Sequence, residues 1–218
     1  MARFLSAVGL VLLIGVLFTG PVLGEDLNPP LWRGDYGTTY AVWEFSDPNP
    51  TPLPELGWYN PNGMPYMSVD AGYGRNWLPD WDGRIGVWPL SGIIVIEFPN
   101  YPLPNAYKDI WVQITWAPEA QYGEPTVKVQ PEGIDPGVIV PVDPQSTKPL
   151  SGPWRHDTYK VRISPNPPWE RIIIQGNAFV DEVVVDTRCI IPEPGGVLVL
   201  ITGSLGLVGF IGRRKARR

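Results

Sequence analysis

Two residue types that carry much of protein chemistry are nearly missing, because the 218-residue chain holds one cysteine, Cys189, and one histidine, His156. A single cysteine excludes an internal disulfide framework. It leaves two readings of Cys189, a half-buried thiol at the end of a strand or a crosslink between chains. One His and one Cys are too few to hold zinc. A Ser-His-Asp triad could be built only around His156, whose neighbour Asp157 is badly placed to orient the ring. No Gly-x-Ser-x-Gly elbow is present, so His156 reads as a surface loop residue. Long helical periodicity is missing as well, since 27 Pro and 24 Gly, together about 23 per cent of the chain, keep interrupting it. There is no internal repeat. Positive charge is scarce in the body: without Arg3, the five basic residues at the extreme carboxyl end and Glu193, 11 basic residues face 21 acidic ones, a net of −10 against −5 for the whole chain. That balance excludes nucleic acid and anionic lipid as partners of the body, because either needs a basic patch to displace counterions.

Aromatic bulk is what the chain has in quantity. Ten Trp, nine Tyr and six Phe exceed what a disordered chain carries, so the body is expected to fold. Runs of β-branched and aromatic residues at strand length lie at Thr38–Phe45, Gly92–Phe98, Ile110–Trp116, Thr126–Val129, Thr158–Ile163, Glu170–Gln175 and Ala178–Asp186, and none reads as an amphipathic helix. Within Ile110–Trp116, Ile110, Val112 and Ile114 share one face, the period of a strand with one side in a core. Seven to nine strands with Pro- and Gly-bounded turns predict an all-β fold, an antiparallel β-sandwich of jelly-roll type spanning 25–190.

Between the first two of these runs lies an irregular section from Asp47 to Ser91, expected to hold one or two short strands near Tyr66–Val69 and Ile85–Trp88 and a large loop. It concentrates Trp58, Tyr59, Tyr66, Tyr73, Trp77, Trp81 and Trp88, which marks it as the best binding region, since rings left in water need a partner. Trp77, Trp81 and Trp88 are candidate stacking faces for sugar rings, with Asp80 and Asp82 accepting bonds from hydroxyls. The competing expectation puts these tryptophans in a core beneath the loop. Asp80-x-Asp82-Gly83 is also a fragment of an oxygen-ligand Ca²⁺ loop, without its remaining acidic positions; otherwise it is an Asp-Gly turn. No other cofactor is implied.

The two ends carry export features. Residues 1–24 run from Arg3 through the apolar stretch Phe4–Phe18 to the small or compact Val22 and Gly24, the layout of a signal peptide cut by signal peptidase after Gly24. Residues 191–218 run from Pro192-Glu193-Pro194 through the uncharged stretch 195–212 to Arg213, Arg214, Lys215, Arg217 and Arg218. As a helix the uncharged stretch spans roughly 27 Å, enough for a single transmembrane helix. The basic cluster then places the carboxyl terminus in the cytoplasm and the body outside.

Pro-Glu-Pro, an apolar stretch centred on Gly206-Leu207-Val208-Gly209 and a terminal Arg cluster together resemble the PEP-CTERM sorting signal of bacterial exported proteins. The resemblance covers residues 191–218 and implies processing by exosortase, with Pro192, Glu193 and Pro194 as the recognised residues and the basic cluster as the stop-transfer charge. It also implies delivery to the cell surface or to an exopolysaccharide, biofilm-associated matrix. It says nothing of the body's own activity. The expectation for the whole chain is a non-enzymatic structural or carbohydrate-binding surface protein. The alternative is a secreted carbohydrate-active hydrolase using paired carboxylates drawn from Glu44, Glu97, Asp181 and Glu182.

Overall fold

The computed structural model describes residues 26–101, 107–119, 123–131 and 139–190. The expected signal peptide and the 191–218 tail with its membrane helix therefore lie outside the described residues. Within them the chain forms thirteen strands and no helix: β1 (Thr38–Trp43), β2 (Trp58–Tyr59), β3 (Tyr66–Asp70), β4 (Leu78–Trp81), β5 (Arg84–Leu90), β6 (Ile93–Pro99), β7 (Lys108–Pro118), β8 (Thr126–Pro131), β9 (Val140–Val142), β10 (Pro144–Pro149), β11 (Arg155–Ile163), β12 (Trp169–Gln175) and β13 (Ala178–Cys189).

Two antiparallel sheets pack as a sandwich. The larger runs β10-β11-β7-β13-β1-β2, with β5 also paired to β13 and β4 to β5; the smaller runs β3-β6-β12-β8-β9. The central strands form because their apolar residues recur with period two, which puts one set of side chains on the inner face. In β6 the inward set is Ile94, Ile96 and Phe98, all buried, while Ile93, Val95 and Glu97 are half exposed. Ile172 and Ile174 of β12 stand opposite Ile96 and Ile94. From the large sheet Ile110, Val112, Ile114, Trp116, Ala41, Trp43, Val183 and Val185 close the same core, with Trp43 meeting Phe98 edge to face at 6.2 Å. Truncating one of these isoleucines to Ala would cost about 2–5 kcal/mol.

β13 departs from alternation and is buried along nearly its whole length. Its outer face is covered by the segment ahead of β1, which lies across the large sheet. The Asn28 amide donates to Gln113 Oε1 at 2.8 Å and its side chain to Thr158 Oγ1 at 3.0 Å. Arg33 donates to both oxygens of Asp186, and Trp32 meets Trp111 edge to face at 6.3 Å. A bulge between Val180 and Glu182 leaves Asp181 as the extra residue, and its carboxylate lies 3.2 Å from Arg84 Nη1.

The section from Asp47 to Ser91 is more regular than expected. Besides β3 and β5, near the two anticipated stretches, it contains β2 and β4. β9 and β10 are further additions to the expected set, because Pro141, Pro144 and Pro149 interrupt their sequences. Both strands lie at sheet edges, where a residue without an N–H costs no ladder bond.

Candidate functional site

The structure brings Trp77 and Trp88 to the wall of one small cleft and places Trp81 in a separate cluster. Trp88 points inward from β5 and is 6% exposed, a member of the main core. Trp77 is half-buried against that core and donates its indole N–H to the Phe45 carbonyl at 2.8 Å. Trp81 stacks on Phe179 at 3.8 Å and meets Trp154 edge to face at 5.4 Å, in a satellite cluster on the outer side of the large sheet. Trp88 is thus a core residue, while Trp77 and Trp81 are partly buried and keep some surface in water. Asp82 and Gly83 are the two residues joining β4 to β5 and both have positive φ, 48° and 81°, the conformation a two-residue hairpin turn requires. The Asp82 carbonyl accepts the Trp154 indole N–H at 3.1 Å. Asp80 and Asp82 are both exposed, and no group of three potential metal ligands gathers among the described residues. A hairpin turn accounts for the Asp-x-Asp-Gly pattern.

His156 lies inside β11, 1% exposed, not on a surface loop. Its Nδ1 is 3.0 Å from Thr115 Oγ1 and its Nε2 is 3.0 Å from Gln113 Oε1. Asp157 points to the other face and accepts the Trp116 indole N–H at 2.8 Å. Successive strand residues face opposite ways, so the adjacent Asp cannot serve the ring. Glu97 is paired with Arg171 at 2.7 Å, and Asp181 with Arg84.

The exposed rings of the aromatic section are the tyrosines and Trp58. Tyr59 is 55% exposed, Tyr66 51% and Tyr73 105%, and Tyr36, just ahead of β1, is 77% exposed. Tyr36 and Tyr59, with Tyr40 and Tyr101, line a cleft of about 910 Å³ together with Asp35, Thr38, Pro61 and Asn62. A volume of this size with aromatic walls and a few polar groups suits a small ligand or a short stretch of polymer. Glu44, Glu97, Asp181 and Glu182 are not among the lining residues.

Both walls of the cleft are pinned by short-range bonds. On one side Thr38 Oγ1 donates to the Asp35 carbonyl at 2.7 Å and accepts from the Gly34 N–H at 3.2 Å, while the Cys189 N–H holds the Gly37 carbonyl at 2.9 Å. On the other, Asn60 Oδ1 accepts the Asn62 N–H at 2.9 Å, and its amide donates to the Pro99 carbonyl at 2.9 Å. The floor is β1, where Arg33 sits over the Tyr40 ring at 5.4 Å while bonded to Asp186. Burial pushes the Asp186 carboxyl up to about 6; Arg33 opposes this and the nearby Asp26 charge adds to it. The sequence pointed to the aromatic section but not to Tyr36 or Asp35, because these lie on a separate segment that the β1–β2 pairing brings alongside.

Cys189 is buried at 4% exposure, with its thiol 3.6 Å from Asn166 Oδ1. Burial raises its pKa.

The chain matches no protein-family model, and no curated protein matches it. Among solved structures it is similar to the crystal structure of Podospora anserina GH26-CBM35 beta-(1,4)-mannanase, at 13% identity and a TM-score of 0.31, over 72% of this chain and 29% of that chain. The chain thus spans less than a third of the length of that enzyme.

Proposed function

We propose that the protein is an exported bacterial surface or matrix protein whose body, a β-sandwich of jelly-roll type, binds carbohydrate in the tyrosine-lined cleft. The observation that carries this reading is the concentration of Tyr36, Tyr40, Tyr59 and Tyr101 with Asp35 and Asn62 around one cleft of about 910 Å³. Flat rings stack on the C–H faces of sugars, and carboxylate and amide groups accept and donate bonds to hydroxyls. The rings are carried by strands and hydrogen-bonded turns, so little ordering is needed on binding. The acidic body points to neutral or cationic glycans and away from polyanions.

Export and sorting complete the proposal. The 1–24 and 191–218 segments support signal peptidase and exosortase as processing enzymes, a transient membrane anchor, and final residence at the cell surface or in an exopolysaccharide matrix. The function is binding, not catalysis. The test is a pull-down of the protein with a panel of insoluble polysaccharides. Retention on at least one neutral glycan, reduced by Tyr59→Ala and Tyr36→Ala, is the expected result; equal recovery of wild type and both variants would remove the cleft from the account.

A further inference from the structure

Asn100, Lys108 and Glu170 come from three places in the chain and meet inside the sandwich. Strand parity puts them there: Glu170 faces inward with Ile172 and Ile174, Lys108 with Ile110 and Val112, and Asn100 continues the inward set of Phe98. Lys108 and Glu170 are 0% exposed and Asn100 6%. Lys108 Nζ lies 2.6 Å from Glu170 Oε1 and donates to Asn100 Oδ1. Asn100 Nδ2 donates to Glu170 Oε2 and, at 2.8 Å, to the Pro167 carbonyl. An amine, a carboxamide and a carboxyl group therefore form one closed set of contacts, screened from water.

We propose that this cluster is an autocatalytic modification site, at which Lys108 and Asn100 become joined by an isopeptide bond with Glu170 as the general acid and base. The Glu170 carboxylate takes one proton from Nζ, and the freed amine lone pair adds to Cγ of Asn100, forming the Cγ–Nζ bond. Glu170 passes that proton to Nδ2 as the Cγ–Nδ2 bond breaks. Ammonia leaves, and a second Nζ proton returns to Glu170, so the site ends with a neutral amide and a neutral carboxylic acid. No oxidant or cofactor enters the balance.

The surroundings favour that direction. A dry interior disfavours the charged Lys–Glu pair and favours the neutral amine and acid. Burial indeed pushes the Glu170 carboxyl above its ordinary value, against the opposing pull of Lys108 and Asn100. Fixing nucleophile and carboxamide side by side supplies the high effective concentration that an uncatalysed amide exchange lacks. Asn100 follows β6 in the small sheet, and Lys108 opens β7 in the large one. The bond would thus tie the two sheets together in a chain whose single cysteine cannot form an internal disulfide.

Peptide mapping of the full chain after expression in a bacterium tests this. Trypsin should fail to cut after Lys108, and the peptide from Ile85 to Lys128 should be lighter than its sequence by one ammonia. Further cleavage after Tyr107, which lies between Asn100 and Lys108, should leave the Asn100 and Lys108 fragments joined. Lys108→Arg and Glu170→Gln should each restore the unmodified mass. A peptide from Ile85 to Lys108 of full sequence mass, released by normal cleavage at Lys108, would overturn the proposal. So would an ammonia loss with separable fragments, the mark of a succinimide at Asn100. A bond that persists in Glu170→Gln would overturn the role given to Glu170. The wild-type map decides the matter even if the variants fail to fold.

Discussion

Individual side chains show what composition alone does not decide: which rings are buried and which stay in water. Trp77, Trp81 and Trp88 share a stretch of sequence with Tyr59, Tyr66 and Tyr73, yet the tryptophans pack inward or sideways while the tyrosines stay in water. A ring's identity does not carry its direction; that is set by strand parity and by what covers the sheet. Asp186 gives a prediction at this scale. Its carboxyl is held near 6, against an ordinary 3.8, chiefly by burial. Between those two values the folded chain binds a proton that the unfolded chain has already lost, so this group's contribution to stability falls as pH rises through that window. Urea denaturation across the same range should show a midpoint that falls with rising pH, and Asp186→Asn should flatten that slope. A slope unchanged by the substitution would assign it to another group.

At the scale of the element, the central strands were legible as β-branched and aromatic runs of strand length, alternating in β6 and β12 and nearly continuous in β13. All seven anticipated runs correspond to strands, with ends displaced by a few residues. The edge strands β9 and β10 were not legible, since they are built on prolines that a central strand excludes. The β4–β5 hairpin was half legible: Asp82-Gly83 announced a turn and Ile85–Trp88 the strand after it, but β4 before it gave no signal. Its second strand, β5, contains Gly86, which has φ +79°, and a Cβ there would stand 2.2 Å from the Phe45 carbonyl oxygen. Gly86→Ala should therefore destabilise the fold by about 2–3 kcal/mol, through backbone strain and overpacking together. Thermal unfolding checks this, and an unchanged melting temperature would mean that Phe45, just past β1, and β5 do not approach as described.

For the whole molecule, the acidic body and basic tail are separate facts that the overall charge of −5 conceals. The sandwich class was readable from strand-length runs without crossover helices. The cleft was not, because it joins Tyr36 to Tyr59 across a strand pairing whose register no local pattern encodes. The sorting proposal makes its own prediction: protein recovered from the cell surface should lack Arg218 and end near Pro192–Pro194. Mass spectrometry that finds the terminal Arg cluster on the mature protein would contradict exosortase processing while leaving the binding domain untouched.

The central claim is that the tyrosine-lined cleft holds sugar. Its most direct test is titration calorimetry with soluble oligosaccharides of a neutral glycan that retains the protein, run on wild type, Tyr36→Ala, Tyr59→Ala and Tyr73→Ala, an exposed ring that does not line the cleft. Loss of one stacking ring should weaken binding about tenfold in each cleft variant, equivalent to roughly 1.4 kcal/mol, and leave Tyr73→Ala unchanged. Equal affinity in all four proteins would contradict it.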